Sequence, residues 1–193
     1  QDNNLSGMVD LATSIQAFDA AAVIQLSLGT GRQSFPEVET VGPSSIPLKI
    51  PENSMPNKLK MFEGTTGPDV RELSVSEIEG LEDMYTDSVS RIKKAGFDGI
   101  EIHGAHGYLL ASFLSPFTNH RTDKYGGSFE KRITLLLNLL RKSREAAGDD
   151  FIIGLRISGD EHIPEGWSID DTLRLVPLLE KEGIDYIHLS SGT

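Results

Sequence analysis

One pattern occurs twice in this chain and constrains its fold more than any other feature. A glycine is followed by an apolar residue, an aspartate and alternating apolar positions, in residues 96–102 and again in residues 183–189. In each copy the glycine follows a segment with helical apolar spacing, so it marks the end of a helix, and the alternation marks a strand. Strands that follow helices at this rhythm predict consecutive βα units and a parallel sheet.

The rest of the chain supplies the other elements of such a fold. Apolar runs predict four strands, at residues 21–28, 97–103, 151–158 and 184–190. Helical spacing predicts helices at residues 8–18, 75–95, 128–148 and 168–182. Ser74 and Ser168 each precede an acidic residue by three positions, which is the spacing of a capping box, and Ser128 is a third candidate helix cap.

A long segment, residues 33–72, separates the first predicted strand from the helix that begins after Ser74. It contains six of the nine prolines and little periodicity. Loops of this length are uncommon in compact domains and are often functional. Two interpretations stay open, a surface excursion with a small hairpin and a lid over a site.

Two α/β architectures use parallel strands of this kind. A doubly wound sheet usually carries a glycine-rich phosphate loop after its first strand, but Gly29-Thr30-Gly31 lacks the third glycine and no helical pattern follows it. A (β/α)8 barrel has eight strands and needs about 250 residues. The four strands predicted here would therefore form half of such a barrel. We therefore expect residues 1–193 to form a single partial TIM (β/α)8 barrel domain, with N-terminal and C-terminal barrel parts absent from this sequence.

Charge and composition narrow the functional classes. The net charge of −11 and the pI near 4.8 argue against binding to nucleic acid or to an acidic membrane surface, since both need clustered Lys and Arg. The sequence has no cysteine, which excludes disulfides and thiolate nucleophiles within it. No apolar run approaches about 18 residues, and no signal peptide is seen. We expect a cytoplasmic protein that acts on a small molecule, and the oligomeric state stays open.

The end of the second predicted strand carries the residues best suited to chemistry. His103, His106 and Tyr108 lie within six positions on a glycine-rich turn. Two imidazoles at this spacing fit three interpretations: metal ligands together with Glu101, paired hydrogen-bond donors, or ordinary packed histidines. The tyrosine hydroxyl, with an ordinary pKa of about 10, suits the protonation of a carbanion-like centre.

Two polar residues interrupt other predicted strands. Arg156 lies within an apolar strand, where a guanidinium is costly unless it is paired with a carboxylate such as Glu101 or with an anionic ligand. Gln25 offers both a donor and an acceptor, which suits a ring edge such as a flavin pyrimidine. If the strands lie side by side, Gln25 and Arg156 share one edge of the sheet with His103 and with Ser190 or Ser191.

Several motifs together resemble one family. Residues 95–110 read AGFDGIEIHGAHGYLL, residues 119–128 read NHRTDKYGGS, and related segments occur at 113–116, 154–158 and 184–190. These closely resemble the Old Yellow Enzyme family of FMN-dependent NAD(P)H:flavin oxidoreductases, whose fold is a TIM barrel. The resemblance covers nearly the whole chain and corresponds to barrel strands three to six. It looks most like the 2-enoate and 2,4-dienoyl-CoA reductase branch.

The resemblance implies a role for each candidate residue. Gln25 would bond to the flavin pyrimidine, and Arg156 would lie at its N1 and O2 edge. His103 and His106 would bind the carbonyl or carboxylate oxygen of the substrate. Hydride would pass from NAD(P)H through the flavin to the β-carbon of an activated C=C, and Tyr108 would protonate the α-carbon. The protein would then be an ene-reductase acting on an enoate, an enone or a dienoyl thioester.

Other implications concern residues outside the reaction. Arg121, Asp123 and residues 125–127 are expected to shape their loop. The branch also tends to carry an iron–sulfur cluster on cysteines beyond this region, and we expect the isolated chain to bind FMN weakly or not at all. Two other hypotheses stay open: a non-catalytic fragment that associates through open sheet edges, and a metal-dependent lyase or hydrolase that uses His103, His106 and Glu101.

Overall fold

The computed structural model describes residues 5–34, 38–49 and 64–192. Within these ranges at least one helix separates each pair of successive strands of the main sheet, as the repeated pattern predicts. In chain order the elements are α1 Leu5–Gln16, β1 Val23–Leu26, β2 Val41–Gly42, β3 Arg71–Glu72, α2 Val75–Lys94, β4 Gly99–Gly104, α3 Leu109–Leu114, α4 Phe129–Arg132, α5 Thr134–Ala147, β5 Ile152–Ser158, α6 Ile169–Lys181 and β6 Tyr186–Ser190. A short 3-10 turn, Gly31–Gln33, follows β1.

Four of the strands form one parallel sheet in the order β1-β4-β5-β6. Each neighbouring pair is parallel and in continuous register. This confirms the predicted α/β fold, in which parallel strands alternate with helices. The first strand is shorter than predicted, since only Val23–Leu26 of residues 21–28 pair with β4. A separate two-residue ladder joins β2 to β3, also in parallel.

The two faces of the sheet differ in polarity, and this difference locates the core. One face carries fully buried aliphatic residues that belong to the same apolar cluster as residues of α2 and α5, among them Ile100, Ile102, Ile153 and Leu155. Burying one such side chain contributes about 1.5–3 kcal/mol. Most of the residues that alternate with them are polar or charged. The opposite face of the sheet is therefore the one available to a ligand.

The repeated aspartate has the same structural role in both copies of the pattern. The Oδ2 atom of Asp98 accepts a hydrogen bond from the backbone N–H of Ala22 at 2.6 Å, just before β1. The Oδ2 atom of Asp185 accepts one from the backbone N–H of Ile153 at 2.7 Å, near the start of β5. Each aspartate thus precedes one strand and bonds to the neighbouring strand of the sheet, which helps to fix their register.

Two of the three predicted helix caps are confirmed. Ser74 and Ser168 each form a reciprocal capping box with the acidic residue three positions on. Ser128 lies at a helix start, but its side chain makes no capping hydrogen bond, and the predicted helix is divided at Ile133 into α4 and α5. The first helix ends before Phe18, which is 87% exposed. Along the described ranges, none of the helices is both long and apolar enough to cross a membrane.

Residues 119–128 form a loop that is held by its own polar side chains, as the motif predicts. Arg121 is buried and donates to two backbone carbonyls and to the carboxylate of Asp123. Asn119 donates to the carbonyl of Tyr125 at 2.8 Å. A side chain at Gly126 would place its Cβ 2.5 Å from Asn119 Oδ1, so only glycine fits there. These contacts confirm the loop-shaping role expected for this segment.

The long segment at residues 33–72 is described in part, since residues 35–37 and 50–63 lie outside the described ranges. In the described part, an antiparallel bridge joins Lys49 to Thr66. The two short strands of this segment, β2 and β3, pair in parallel and so do not form a hairpin with each other. The distinction between a surface excursion and a lid depends on residues outside the described ranges and stays a prediction.

We expect Asp98→Ala to lower the free energy of unfolding by about 1–2 kcal/mol, because the buried N–H of Ala22 loses its acceptor. Asp98→Asn should lose less, since an amide oxygen still accepts. Urea unfolding followed by circular dichroism measures both changes. Asp10→Ala, at an exposed position on α1, is the control and should change stability by about 0.5 kcal/mol or less. Equal stability of Asp98→Ala and the unaltered protein would contradict the assigned role.

Candidate active site

The polar face of the sheet arranges its side chains in rows that run across the strands. The deeper row contains Gln25, Glu101, Gly154 and Tyr186. The next row, two residues further along each strand, contains His103, Arg156 and His188. Gln25, His103 and Arg156 therefore lie on one face, as predicted. Their alignment differs from the expectation, because Gln25 pairs with Glu101 and lies one row deeper than His103.

His103 is buried at the end of β4 and lies next to both other candidates from the same segment. Its ring centroid is 5.4 Å from that of His106 and 5.2 Å from that of Tyr108. The backbone N–H of Ala105 donates to His103 Nδ1 at 3.4 Å, which favours the neutral tautomer with the proton on Nε2. No described side chain forms a hydrogen bond to this ring, so Nε2 is available as a donor to a ligand.

His106 has a backbone conformation that is unusual for a residue other than glycine. Its φ is 61° and that of Gly107 is 67°, so both central residues of the turn from Ala105 to Tyr108 are left-handed. The backbone N–H of Tyr108 closes the turn by donating to the carbonyl of Ala105 at 3.4 Å. A left-handed residue with a side chain costs about 1–3 kcal/mol, and such residues cluster at functional sites. The surrounding structure must therefore hold this turn.

Contacts from the ends of β5 and β6 and from the 3-10 turn after β1 hold His106 in place. Ser158, at the end of β5, accepts from its backbone N–H at 3.0 Å. Gln33, from the 3-10 turn after β1, donates to its carbonyl at 2.7 Å. The hydroxyl of Ser190, at the end of β6, lies 2.7 Å from Nε2 of the imidazole, which leaves Nδ1 for a ligand. Ser190 thus reaches the strand-end cluster, as predicted, whereas Gln33 and Ser158 are not among the candidates from the sequence.

Arg156 has an unsatisfied donor on the polar face. Its Nε is buried and has no hydrogen-bond partner among the described residues. Of the two partners considered for Arg156, the Glu101 carboxylate is not supported, because no salt bridge or hydrogen bond joins the two side chains among the described residues. A buried N–H donor without a partner is costly, so Arg156 fits an acceptor that a ligand supplies.

Glu101 accepts hydrogen bonds from two neighbouring strands instead. Gln25 Nε2 donates to its Oε1 at 2.6 Å, and His188 Nδ1 lies 3.1 Å from its Oε2. The side chain of Tyr186 also bonds to this carboxylate. Neither His188 nor Tyr186 is a candidate from the sequence, although the alternation along β6 places both on the same face as Ser190 and could have identified them.

The hypothesis of a metal site is not supported. Within residues 5–34, 38–49 and 64–192, no group of three or more His, Cys, Asp or Glu side chains is arranged to hold a metal ion. The carboxylate of Glu101 engages Gln25 and β6, and it makes no contact with His103 or His106 of the kind a shared ligand set requires. The two imidazoles are therefore better described as hydrogen-bonding groups.

The electrostatics of the site favour neutral imidazoles beside a fixed positive charge. Burial lowers the pKa of His103, and the charges of His106 and Arg156 lower it further. Burial and the charge of Arg156 also lower the pKa of His106. Burial raises the pKa of Glu101, but its hydrogen bonds outweigh that effect and leave the pKa below its ordinary value. Near pH 7 the site therefore presents two neutral rings, one guanidinium and one ionised carboxylate.

Comparison with known proteins decides the family. The model of the NADH:flavin oxidoreductase / NADH oxidase family, a family of FMN oxidoreductases, matches residues 1–192. The chain belongs to this family. The match extends across the motifs at residues 95–110 and 119–128, and it confirms the resemblance to Old Yellow Enzymes that those motifs carry.

Several curated members of the NADH:flavin oxidoreductase family are similar along the chain. An NADH oxidase of Thermoanaerobacter brockii is 36% identical over 99% of the chain, and a probable NADH-dependent flavin oxidoreductase of Bacillus subtilis is 35% identical over 98%. An NADH:fumarate oxidoreductase of Klebsiella pneumoniae is 36% identical over 99%. The chain spans 28%, 48% and 20% of the lengths of these three relatives, respectively.

Solved structures of the same family confirm the architecture. A 2-naphthoyl-CoA reductase matches with a TM-score of 0.83 and 25% identity, over 100% of this chain and 29% of that one. An Old Yellow Enzyme homologue of Zymomonas mobilis matches with a TM-score of 0.81 and 25% identity, over 100% of this chain and 54% of that one. Such neighbours are TIM barrels, so the four parallel strands form part of a TIM (β/α)8 barrel, as predicted.

The residues on the polar face fit the FMN that the family binds. The buried Nε of Arg156 lacks an acceptor, and a flavin pyrimidine carries carbonyl oxygens. Gln25 bonds through its Nε2, so its Oε1 remains free to accept from the imide N–H of such a ring. The sequence has no cysteine to ligate an iron–sulfur cluster, so a cluster held by cysteines beyond this region stays a prediction.

We expect the imidazoles of His103 and His106 to titrate with midpoints below the ordinary value of 6.5. The unfolded chain then takes up these protons first, so their contribution to stability is lost as the pH falls below about 6.5 towards the folded midpoints. Two-dimensional NMR of ¹⁵N-histidine-labelled protein, recorded from pH 8 to pH 4, measures both midpoints. His103→Asn and His106→Asn assign the signals. A midpoint at or above 6.5 for either ring would contradict the proposed desolvation.

Proposed function

We propose that the protein is an FMN-dependent ene-reductase, and that this chain supplies its substrate-binding and proton-donating residues. The observation that carries the proposal is the placement of two neutral imidazoles and a phenol on the same face as a guanidinium whose Nε lacks a partner. When bound, FMN would take two electrons from NAD(P)H and supply hydride to the β-carbon of an activated C=C. The residues of the chain orient the substrate and provide the proton.

The two imidazoles would bind the carbonyl or carboxylate oxygen of the substrate. His103 has its Nε2 free and His106 has its Nδ1 free, because the other ring nitrogens already have partners. If Ser190 donates to Nε2 of His106, the proton of that neutral ring lies on Nδ1, which becomes the donor. Fixed N–H donors of this kind stabilise the negative charge that develops on the oxygen as the β-carbon is reduced.

Tyr108 would complete the reduction by protonating the α-carbon. It lies at the first position before α3, half-buried, and its ring centroid is 5.2 Å from that of His103. An α-carbon with carbanion character is basic enough to take a proton from a weak acid such as a phenol. The product is then saturated, with one hydrogen delivered as hydride and the other as a proton, and solvent restores the tyrosine proton.

The substrate class that this arrangement fits is an α,β-unsaturated carboxylate. One relative is named NADH:fumarate oxidoreductase, and fumarate carries a C=C conjugated to a carboxylate. A carboxylate oxygen can accept from both imidazoles, and Arg156 adds positive charge beside them. Enones and dienoyl thioesters present the same conjugated oxygen and are the remaining members of the proposed class.

We expect Tyr108→Phe to slow the reoxidation of reduced flavin by fumarate or another 2-enoate by about 100-fold, because the α-carbon loses its acid. Reduction of the flavin by NAD(P)H should be unchanged. Anaerobic stopped-flow absorbance on the full-length, FMN-loaded protein separates the two half-reactions. Tyr85→Phe is the matched control, since its buried hydroxyl has no hydrogen-bond partner among the described residues. An unchanged reoxidation rate in Tyr108→Phe would remove Tyr108 as the acid.

We expect His103→Ala to weaken the binding of phenols and 2-enoates to the full-length oxidised protein by about tenfold, while FMN stays bound, because one donor to the ligand oxygen is lost. Changes in the flavin absorption spectrum on ligand titration measure the affinity. His120→Ala, at an exposed position whose side chain has no role in the cluster, should bind like the unaltered protein. Unchanged affinity in His103→Ala would remove His103 from the substrate site.

A further inference from the structure

The carboxylate of Glu101 lies at the centre of a hydrogen-bonded group that extends over three strands. Its Oε1 accepts from Gln25 Nε2 of β1 at 2.6 Å, and His188 of β6 lies 3.1 Å from its Oε2. Tyr186 of β6 bonds to the same carboxylate. Glu101 itself is 8% exposed, whereas the side chain of His188 is 48% exposed, so the carboxylate is buried and its contact with His188 is partly open to solvent. Glu101 has no role in the proposed reduction of the substrate.

An ionised carboxylate can only accept hydrogen bonds, and this fact determines how the Gln25 amide is oriented. A glutamine side chain can present either its carbonyl oxygen or its NH2 group to a neighbour. Next to a carboxylate only the NH2 group can bond, so Gln25 must direct Nε2 towards Glu101. Its Oε1 accepts no hydrogen bond from the described residues and is left as the free end of the amide.

We propose that Glu101 is a positioning residue that fixes the Gln25 amide as a hydrogen-bond acceptor, so that the site selects a ring edge with an N–H donor. This inference rests on the proposed FMN-dependent function, where that donor is the imide N–H of the flavin pyrimidine. Glu101 would not touch the flavin. It would act through Gln25, and the cofactor affinity would depend on its charge.

The contacts from β6 keep the carboxylate in the orientation that Gln25 needs. His188 and Tyr186 bond to Glu101 from the side opposite to β1. The ring of Tyr186 covers Gly154, where a Cβ would lie 2.1 Å from a ring carbon. Strand β5, which lies between β4 and β6, therefore needs a glycine at position 154 so that the Tyr186 side chain can reach the Glu101 carboxylate. The amide orientation on β1 is thus supported from the far edge of the sheet.

A double-mutant cycle in the full-length apoprotein tests the proposal. In Glu101→Gln the new amide can donate as well as accept, so Gln25 can present either end, and the Kd for FMN should rise about tenfold. In a Gln25→Ala background the same Glu101→Gln change should alter the Kd for FMN by less than about twofold, because the Gln25 amide through which Glu101 acts is absent. Titration of flavin fluorescence measures all four affinities. A purely structural role for Glu101 would give equal changes in both backgrounds and would overturn the proposal.

The matched control is Glu82→Gln, which alters another buried carboxylate that accepts from Tyr125 and Asn138 at a distance from this face. It should lower thermal stability and leave the Kd for FMN unchanged. Two negative outcomes are distinguishable. If the unaltered protein binds no FMN, the proposed function fails together with this inference. If it binds FMN and Glu101→Gln binds equally well, the inference alone fails.

A measurement on the unaltered protein keeps the proposal testable even where Glu101→Gln does not fold. N3-methyl FMN lacks the imide N–H, so the unaltered apoprotein should bind it about tenfold more weakly than FMN. In Gln25→Ala the two flavins should bind with similar affinity, because the acceptor that distinguishes them is absent. Equal binding of both flavins to the unaltered protein would overturn the assigned orientation of the amide.

Discussion

The parallel register of β1, β4, β5 and β6 is the constraint on which the rest of the structure depends. It places aliphatic residues on the face that packs with α2 and α5 and polar residues on the other face. Because side chains alternate along a strand, a shift of one residue would move Ile102 to the ligand face and His103 into the core. Asp98 and Asp185 oppose such a shift by bonding to neighbouring strands where β4 and β6 begin.

The same register explains why a strained turn can persist at the end of β4. His106 holds a positive φ only because groups from β5, β6 and the turn after β1 bond to its backbone and its ring. These groups reach it only when all four strands are aligned. The energy that stabilises the turn thus comes from pairing elsewhere in the sheet, and the imidazoles of His103 and His106 are oriented before any ligand arrives.

Local patterns predicted most of the fold but less of the site. Capping boxes, helix-ending glycines and strand alternation each involve only a few neighbouring residues. The sequence therefore predicts the capping boxes at Ser74 and Ser168 and the two strands that carry the repeated aspartate. The row that Gln25 occupies on the polar face depends on the pairing of β1 with β4. Gln25 and its partner Glu101 are 76 positions apart, and no local pattern encodes such a pairing. For the same reason the sequence left two partners open for Arg156, Glu101 and an anionic ligand, and it did not show that Gln25 and His188 reach the Glu101 carboxylate from other strands. Ser128 has the sequence of a cap, but the helix after it divides at Ile133.

We propose that one face of this sheet binds one flavin through β1 and β5 together. The most direct test is a ¹H–¹⁵N NMR titration of the full-length apoprotein with FMN that follows the Nε–H of Arg156 and the side-chain amide of Gln25. Gln25→Ala and Arg156→Lys assign the two signals. We predict that both signals shift along one binding curve, because the same ring contacts both side chains. Saturable FMN binding that leaves either signal unmoved would contradict the account.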